Sequence, residues 1–346
     1  MASYDIIDWK HTGAETEIWD VRSPSEYAED HVPGATNIPV LTDLEREEVG
    51  TLYRRDPFQA RKLGAALIAE NVAKLLRTSL RERDGRLHPL IYCWRGGLRS
   101  QSIATILSHV GWRVNLLRGG YKSYRDAVRE GLDTLPDSLE FRVLAGPTGS
   151  GKTKLLQQLK LAGHQSIDLE GIASHRGSLL GEIPNSPQPR QKHFESLVYQ
   201  QLNAFSSDQP VWIEAESHRI GSLHIPDQLF KKMRHSEVVV LDVPRAERVK
   251  HLLEHYDTWT KEPDTLIEKL RFLTRLRSKA TIEHWISLVQ QKRWSAFTDE
   301  LLEFHYDPTY SNALDRFEGP RHHLKLDSLT QTSEAIHTLV GLAHAK

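Results

Sequence analysis

The chain has 346 residues, enough for two domains, and its formal net charge of −1 at pH 7 provides no general attraction to nucleic acid. Its single cysteine, Cys93, excludes an internal disulfide, and no apolar stretch is long enough to span a membrane. The first residues lack the basic and then apolar segments of a secretory signal, so we expect a cytoplasmic protein without membrane attachment.

The first predicted domain, residues 14–137, alternates short apolar runs with helical stretches, as an α/β sheet requires. Apolar residues at helical spacing predict a helical insertion over about 41–88 rather than a disordered loop. The predicted strands are 17–21, 36–40, 90–92 and 113–117, and the predicted helices are 24–30, 100–110 and 121–131.

Cys93 stands where the third of these strands ends and a segment rich in glycine and arginine begins. A strand that turns into a helix directs several backbone N–H groups at one point, and such a nest binds anions. These groups, with Arg95 and Arg99, should lower the pKa of the Cys93 thiol below about 8.5 and favour the nucleophilic thiolate. The alternative is a core cysteine that acts as a small hydrophobe. The predicted anion loop comprises Trp94, Arg95, Gly96, Gly97, Leu98 and Arg99.

Residues 132–138 are predicted to form a linker, because a proline among polar residues ends the preceding helix. The second predicted domain, 138–346, is a parallel α/β domain of the P-loop type with a helical C-terminal part. Its predicted strands are 141–145, 165–168, 211–214, 238–242 and 323–326.

The first strand of the second domain leads into a segment that matches the P-loop pattern Gly-x-x-x-x-Gly-Lys-Thr in its required strand, loop and helix context. Backbone N–H groups of such a loop wrap a diphosphate, and Lys152 would reach the terminal phosphate oxygens. Thr153 could hold Mg²⁺, and no other metal is predicted. The predicted diphosphate-binding residues are Gly146, Thr148, Gly149, Ser150, Gly151, Lys152 and Thr153.

Acidic residues follow two later strands, where open α/β sheets place their sites. The segment 171–195 is rich in glycine, proline and arginine, and we interpret it as either a mobile lid or a long loop. The candidate acid, base or lid residues are Asp168, Glu170, His175, Arg176, Glu214 and Glu216.

Two segments concentrate positive charge that could neutralise RNA phosphates. Residues 53–86 contain nine Lys or Arg against four acids, and residues 265–294 contain seven against two. The alternative is a pair of solvated helix faces. Tryptophans could stack on an unpaired base, although most tryptophans are core residues; the candidates are Trp94, Trp259, Trp285 and Trp294.

Three motifs of the first domain resemble those of rhodanese domains. Residues 20–27 and 31–39 are similar to the opening motif, 118–121 to the closing motif, and Cys93 takes the active-site position. Ordinary sulfurtransferase rhodaneses place four residues between the cysteine and the loop arginine, whereas here five separate Cys93 from Arg99. This longer loop resembles those of cysteine phosphatases and should admit a tetrahedral oxyanion beside the sulfur.

The rhodanese-like half, the extended cysteine loop, the insertion and the P-loop half together resemble the tRNA 2-selenouridine synthase family. The resemblance implies that wobble 2-thiouridine of tRNA is alkylated by geranyl diphosphate and that selenium from selenophosphate then replaces the S-geranyl group. It implies that Cys93 carries selenium as a selanylsulfide and that the P-loop holds the diphosphate. It implies no tightly bound cofactor. The sequence leaves the oligomeric state open, and a monomer is compatible with it.

Three alternatives remain open from the residues alone. The first is an ATP-dependent kinase, ATPase or tRNA sulfurtransferase fused to a rhodanese. The second is a phosphatase-like enzyme, suggested by the spacing of Cys93 and Arg99. The third is an RNA-binding regulator without catalysis.

Overall fold

The structure is a computed structural model that describes residues 4–13, 17–177, 180–183, 186–255, 260–330 and 332–344. It divides into two compact units. The first contains the described residues up to Gly131 together with Arg190–Gln200. The second contains Leu132–Pro189 and the described residues from Gln201 onward.

The first unit is built on a five-stranded parallel sheet with strand order β1-β5-β4-β2-β3. The central strand β4 is buried along its whole length, as expected for a parallel strand covered on both faces. The edge strand β1 was not predicted from the sequence, because its residues are mostly exposed and give no apolar run. The strands are β1 Asp5–Ile7, β2 Ile18–Asp20, β3 Thr36–Asn37, β4 Leu90–Tyr92 and β5 Asn115–Leu117.

The predicted helical insertion is confirmed as two consecutive helices, Asp43–Arg55 and Pro57–Arg77. Thr42 and Glu45 form a capping box at the start of the first helix. Asp56 caps the second helix by accepting two backbone N–H groups, and the proline that follows it starts that helix. The other helices of this unit's sequence range are Pro24–Glu29, Leu98–Val110, Gly120–Ser138 and Gln191–Ala204.

The predicted linker at 132–138 is wrong, because these residues complete the helix Gly120–Ser138. Leu132 is buried, and so is Leu139 directly after the helix, because the apolar stripe continues at helical spacing past the expected end. Pro136 lies in the last turn, where it removes only one intrahelical hydrogen bond. A proline near the end of a strongly amphipathic helix therefore does not mark a linker.

The second unit contains a five-stranded parallel sheet with strand order β12-β11-β6-β8-β7 and a short antiparallel pair, β9 and β10. The predicted α/β class is confirmed by these two parallel sheets with their helices. The strands are β6 Phe141–Ala145, β7 Ser166–Ile167, β8 Val211–Glu214, β9 Arg219–Ile220, β10 Leu223–His224, β11 Glu237–Asp242 and β12 Arg321–Lys325.

A helical cluster forms the C-terminal part of this unit around Trp285, which is fully buried. The prediction that Trp285 stacks on a base is therefore wrong; Trp94 is 38% exposed, Trp294 is partly buried, and Trp259 lies outside the described residues. Among the described residues, no helix is long and apolar enough to cross a membrane. The helices are Lys152–Leu161, Leu169–Ile172, Asp227–His235, Arg245–His255, Pro263–Phe272, Lys279–Gln290, Trp294–Leu301, Asp307–Leu314 and Thr332–His344.

A buried ion pair lies at the carboxyl end of β2. Arg22 and Asp20 are almost fully buried, and Arg22 Nη2 lies 2.6 Å from Asp20 Oδ2. The same guanidinium donates to the Asp30 carbonyl oxygen at 2.6 Å and lies 3.9 Å from the centre of the Tyr121 ring. The Asp-Val-Arg motif therefore joins three separate segments of the first unit.

We predict that Arg22→Ala lowers the free energy of unfolding of the first unit by about 3–5 kcal/mol, because Asp20 would remain buried without a partner. Arg83→Ala, which removes a more exposed ion pair with Glu17, should cost less than about 1 kcal/mol. Hydrogen exchange of peptides that cover β2 and β4 measures both. Equal losses in the two variants would contradict a structural role for the buried pair.

Candidate functional site

The cysteine loop begins directly after β4 and ends at the helix Leu98–Val110. The backbone N–H of Tyr121 donates to the Cys93 carbonyl oxygen at 2.8 Å, and the N–H of Lys122 donates to that of Trp94 at 3.0 Å. The first turn of the helix Gly120–Ser138 therefore holds the start of the loop through backbone hydrogen bonds.

Cys93 is buried, with only 3% of the residue exposed. It belongs to an apolar cluster that includes Trp19 and Ile103. The Ser100 hydroxyl donates to Cys93 Sγ at 3.2 Å. The sulfur is therefore enclosed on the core side and contacts a polar donor in the first turn of the helix, a residue that was not among the predicted site residues.

Arg99 interacts with a carboxylate. Its Nη1 lies 2.6 Å from Glu26 Oε2 and its Nη2 lies 3.4 Å from Glu26 Oε1. Burial alone would raise the pKa of Glu26, but the hydrogen bonds and charge of Arg99 lower it. Arg95 and Leu98 are exposed. In this arrangement Arg99 neutralises Glu26, and Arg95 is the exposed cation of the loop.

A cavity of about 520 Å³ lies between the helical insertion and the end of the cysteine loop. It combines cationic and apolar side chains, which suits a ligand with phosphate and apolar or aromatic parts. Residues that line it include Arg46, Arg54, Arg61, Tyr53, Leu98 and Arg99.

The P-loop follows β6 in the second unit, and the helix that it precedes begins at Lys152. Lys152 Nζ donates to the Gly146 carbonyl oxygen at 2.9 Å. Ser150 is buried, and its hydroxyl has no hydrogen-bond partner among the described residues. Thr148, Gly149 and Thr153 are partly exposed. The Lys152 side chain therefore lies against the loop that the sequence predicts to bind a diphosphate.

Three of the predicted carboxylates form a cluster, and two of them interact with Lys152. Glu214 is fully buried at the end of β8, and its Oε1 accepts the backbone N–H of Glu170 at 2.7 Å. Its Oε2 has no hydrogen-bond partner among the described residues. The charge of Lys152 acts on both Glu170 and Glu216. Asp168 instead caps a short helix, with its Oδ1 accepting the Gly171 N–H at 2.7 Å.

The pKa values of Glu170, Glu214 and Glu216 are all raised above the ordinary range of a glutamate. Burial, followed by the charge of Glu170, raises the pKa of Glu216 to about 8. Burial and the neighbouring acids also raise the pKa values of Glu214 and Glu170. Like charges this close cannot all ionise, so the cluster holds at least one proton beside the P-loop.

Gly177 also belongs to the site, although it is not among the site residues predicted from the sequence. Its φ is +64°, and a Cβ built on it would lie 2.7 Å from Glu216 Oε2 and 2.8 Å from Glu170 Oε1. Only glycine allows the backbone to approach the two carboxylates this closely. An Arg-Gly pair in a loop was the available signal, and it did not show which groups the glycine contacts.

The described residues of the segment 171–195 form two isolated bridges, and a helix begins at Gln191. His175 pairs with Glu182 across an isolated bridge and is 5% exposed, and its burial lowers its pKa. The Arg176 N–H donates to the Gly181 carbonyl oxygen at 2.8 Å, and the charge of Arg176 acts on Glu170. Arg176 therefore belongs to the carboxylate cluster.

Arg248 supports the P-loop from the helix Arg245–His255, and it was missed because a helical arginine carries no distinctive signal. Its Nη1 donates to the Thr148 carbonyl oxygen at 3.1 Å. The same guanidinium forms a two-pronged ion pair with Asp307, at 2.9 and 2.8 Å. This arrangement fixes the exposed part of the loop.

Comparison with known proteins covers both units. Residues 5–127 match the Rhodanese-like domain family, and residues 139–269 match the tRNA 2-selenouridine synthase AAA domain family. A tRNA 2-selenouridine synthase of Nitrosomonas europaea is 36% identical over 248 residues, which cover 70% of this chain and 64% of that protein. One of Aeromonas salmonicida is 36% identical over 248 residues, which cover 70% of this chain and 66% of that protein.

The matched region thus spans just under two thirds of those two relatives. A tRNA 2-selenouridine synthase of Bdellovibrio bacteriovorus is 30% identical over 353 residues, which cover 88% of this chain and 92% of that protein. Since this match extends over nearly the whole of both chains, the present chain belongs to the tRNA 2-selenouridine synthase family.

Proposed function

We propose that this protein is a transferase that replaces sulfur by selenium in the wobble 2-thiouridine of tRNA, through an S-geranyl intermediate. Geranyl diphosphate and selenophosphate are its small-molecule substrates. The proposal is carried by the combination, in one chain, of a P-loop with Lys152 and a strand-end cysteine, Cys93. A cytoplasmic location stays a prediction.

The order of the two reactions follows from leaving-group chemistry. The sulfur of a thiocarbonyl is a poor leaving group, whereas an S-alkyl thioimidate releases a thiolate. Geranylation therefore activates the uridine carbon toward a selenium nucleophile. In this scheme each unit carries out one of the reactions.

The P-loop would bind the diphosphate of geranyl diphosphate and stabilise its negative charge as the carbon–oxygen bond breaks. Lys152, now 2.9 Å from a loop carbonyl, would turn to the phosphate oxygens. Thr153, and Glu214 once it has lost its proton, would offer oxygen ligands of the kind that Mg²⁺ prefers, since Glu214 Oε2 has no hydrogen-bond partner among the described residues. If bound there, Mg²⁺ would supply further charge neutralisation.

The protonated carboxylates have a separate role in this scheme. A fully ionised cluster of Glu170, Glu214 and Glu216 would repel a diphosphate in the adjacent loop. Because the raised pKa values keep protons on the cluster at neutral pH, the repulsion is reduced.

Cys93 would accept selenium from selenophosphate. Selenium in selenophosphate is at the selenide level, so forming the S–Se bond removes two electrons. Water attacks phosphorus as the Se–P bond breaks and phosphate leaves; the released selenide then joins the Cys93 sulfur while a low-molecular-weight disulfide takes up the electron pair and is reduced to two thiols. Release of selenium to the uridine as selenide then requires two electrons, which a low-molecular-weight thiol supplies. The C–Se bond forms as the C–S bond breaks, and the geranyl group leaves as a thiolate.

Access to this sulfur requires a movement of the loop, because only 3% of Cys93 is exposed. Arg95, the exposed cation of the loop, would then contact the phosphate group. The arginine-lined cavity beside Leu98 would hold tRNA phosphates and an unpaired base. Trp94, the candidate base-stacking tryptophan next to the thiol, is 38% exposed.

Separate variants should divide the two reactions. We predict that Lys152→Ala lowers geranylation of tRNA by at least about 100-fold, because the leaving diphosphate loses its cation. Cys93→Ser should geranylate normally and form no 2-selenouridine. Mass spectrometry of nucleosides measures both products.

The exposed Lys160, at the end of the same helix as Lys152, provides the control Lys160→Ala, which should behave as wild type. Supplying tRNA that is already S-geranylated should restore selenation by Lys152→Ala but not by Cys93→Ser. Intact geranylation in Lys152→Ala, or intact selenation in Cys93→Ser, would refute the corresponding assignment.

The raised pKa of Glu216 predicts a pH dependence of diphosphate binding. Below about pH 8 Glu216 is protonated, and above it the carboxylate becomes an additional negative charge near Lys152. Without Mg²⁺, the affinity of the wild type for inorganic diphosphate should therefore fall about 3- to 10-fold more between pH 7 and 9 than that of Glu216→Gln. Calorimetric titration measures this difference, and identical pH profiles would contradict it.

A further inference from the structure

A narrow cavity of about 60 Å³ lies beside the P-loop within the second unit. Its wall is made mainly of aliphatic and aromatic side chains, and Thr148 of the P-loop contributes to its lining. The residues that line the cavity include Thr148, Leu252, Leu266, Phe297, Thr298 and Leu301.

The cavity and the P-loop share a boundary. Leu252 packs so closely on the loop that a Cβ built on Gly149 would lie 2.9 Å from its Cγ. Arg248, one turn earlier in the same helix, donates to the Thr148 carbonyl oxygen at 3.1 Å. The cavity therefore adjoins the P-loop at Thr148.

The lining indicates the chemistry of that group. A nucleoside carries ribose hydroxyls and base nitrogens, and most of these polar atoms would be buried against apolar side chains such as Leu252, Phe297 and Leu301, with only a few threonine hydroxyls in the lining as partners. A hydrocarbon chain has no such cost and gains from leaving water. An apolar cavity at the end of a diphosphate loop thus favours a prenyl diphosphate over a nucleotide.

The local helix geometry suits a wall that can adjust. The helix Trp294–Leu301 continues into a π-helical turn at Leu302–Tyr306, and residues of both segments line the cavity. Such turns are uncommon and often occur at functional sites. At about 60 Å³ the cavity is smaller than a ten-carbon chain, so a bound chain must displace side chains such as Leu252 and Leu301.

We propose that this cavity binds the isoprenoid chain of a prenyl diphosphate whose diphosphate lies in the P-loop. The inference rests on the proposed function, because it assumes that the loop holds a diphosphate ester. It assigns the choice between prenyl and nucleoside ligands to the apolar residues of the helical C-terminal part rather than to the P-loop.

Calorimetric titration of the full chain with inorganic diphosphate, geranyl diphosphate and ATP tests this assignment. The wild type should bind geranyl diphosphate about 100-fold more tightly than inorganic diphosphate, and ATP no more tightly than inorganic diphosphate. Thr298→Phe, which places a ring in the cavity, should reduce the geranyl preference about 10-fold or more without changing the affinity for inorganic diphosphate. Ser295→Phe, on the exposed side of the same helix, is the matched control and should keep the preference.

A second variant tests the same cavity if Thr298→Phe does not fold. Leu301→Ala enlarges the cavity and should shift the preference from geranyl toward farnesyl diphosphate. If the wild type prefers geranyl diphosphate but neither variant changes the preference, the cavity is not the chain site and the proposed function stands. If the wild type binds neither diphosphate, or binds ATP most tightly, the proposed function fails and this inference fails with it.

Discussion

The cysteine site depends on one close approach between two backbone segments. A Cβ built on Gly120 would lie 2.4 Å from the Cys93 carbonyl oxygen and 2.6 Å from the Gly96 nitrogen, so only glycine fits. This contact lets the N–H of Tyr121 bind the Cys93 carbonyl and set the start of the loop. The closing motif is therefore a requirement of packing against the cysteine loop, not a ligand-binding element by itself.

The same contact links the loop to the buried charges of the first unit. The Tyr121 hydroxyl donates to Asp30 Oδ2 at 2.7 Å, and Arg22 lies over the Tyr121 ring. Burial alone would raise the pKa of Asp30, but hydrogen bonds from His193, Tyr121 and Ser196 lower it, so it stays ionised. The opening and closing motifs are separate in sequence and form one buried network behind the sulfur.

Much of the architecture was predictable because each signal was local. Buried parallel strands such as Leu90–Tyr92 and Val211–Glu214 are short apolar runs, and the P-loop pattern has a fixed context. The helix predicted over 121–131 ends too early, because Pro136 suggests a helix end although the apolar stripe continues to the end of Gly120–Ser138. The site chemistry was less predictable, because the pairing of Arg99 with Glu26, the protonation of Glu216 and the support by Arg248 arise only from tertiary contacts.

The central claim is that Cys93 carries selenium before the RNA receives it. Mass spectrometry of the intact protein and its peptides after exposure to selenophosphate and a low-molecular-weight disulfide, without added thiols, tests it most directly. The account predicts one selenium atom on the peptide that contains Cys93, its removal by a thiol, and phosphate in solution. Phosphate release with no selenium on the protein, from enzyme that still selenates S-geranylated tRNA, would contradict it.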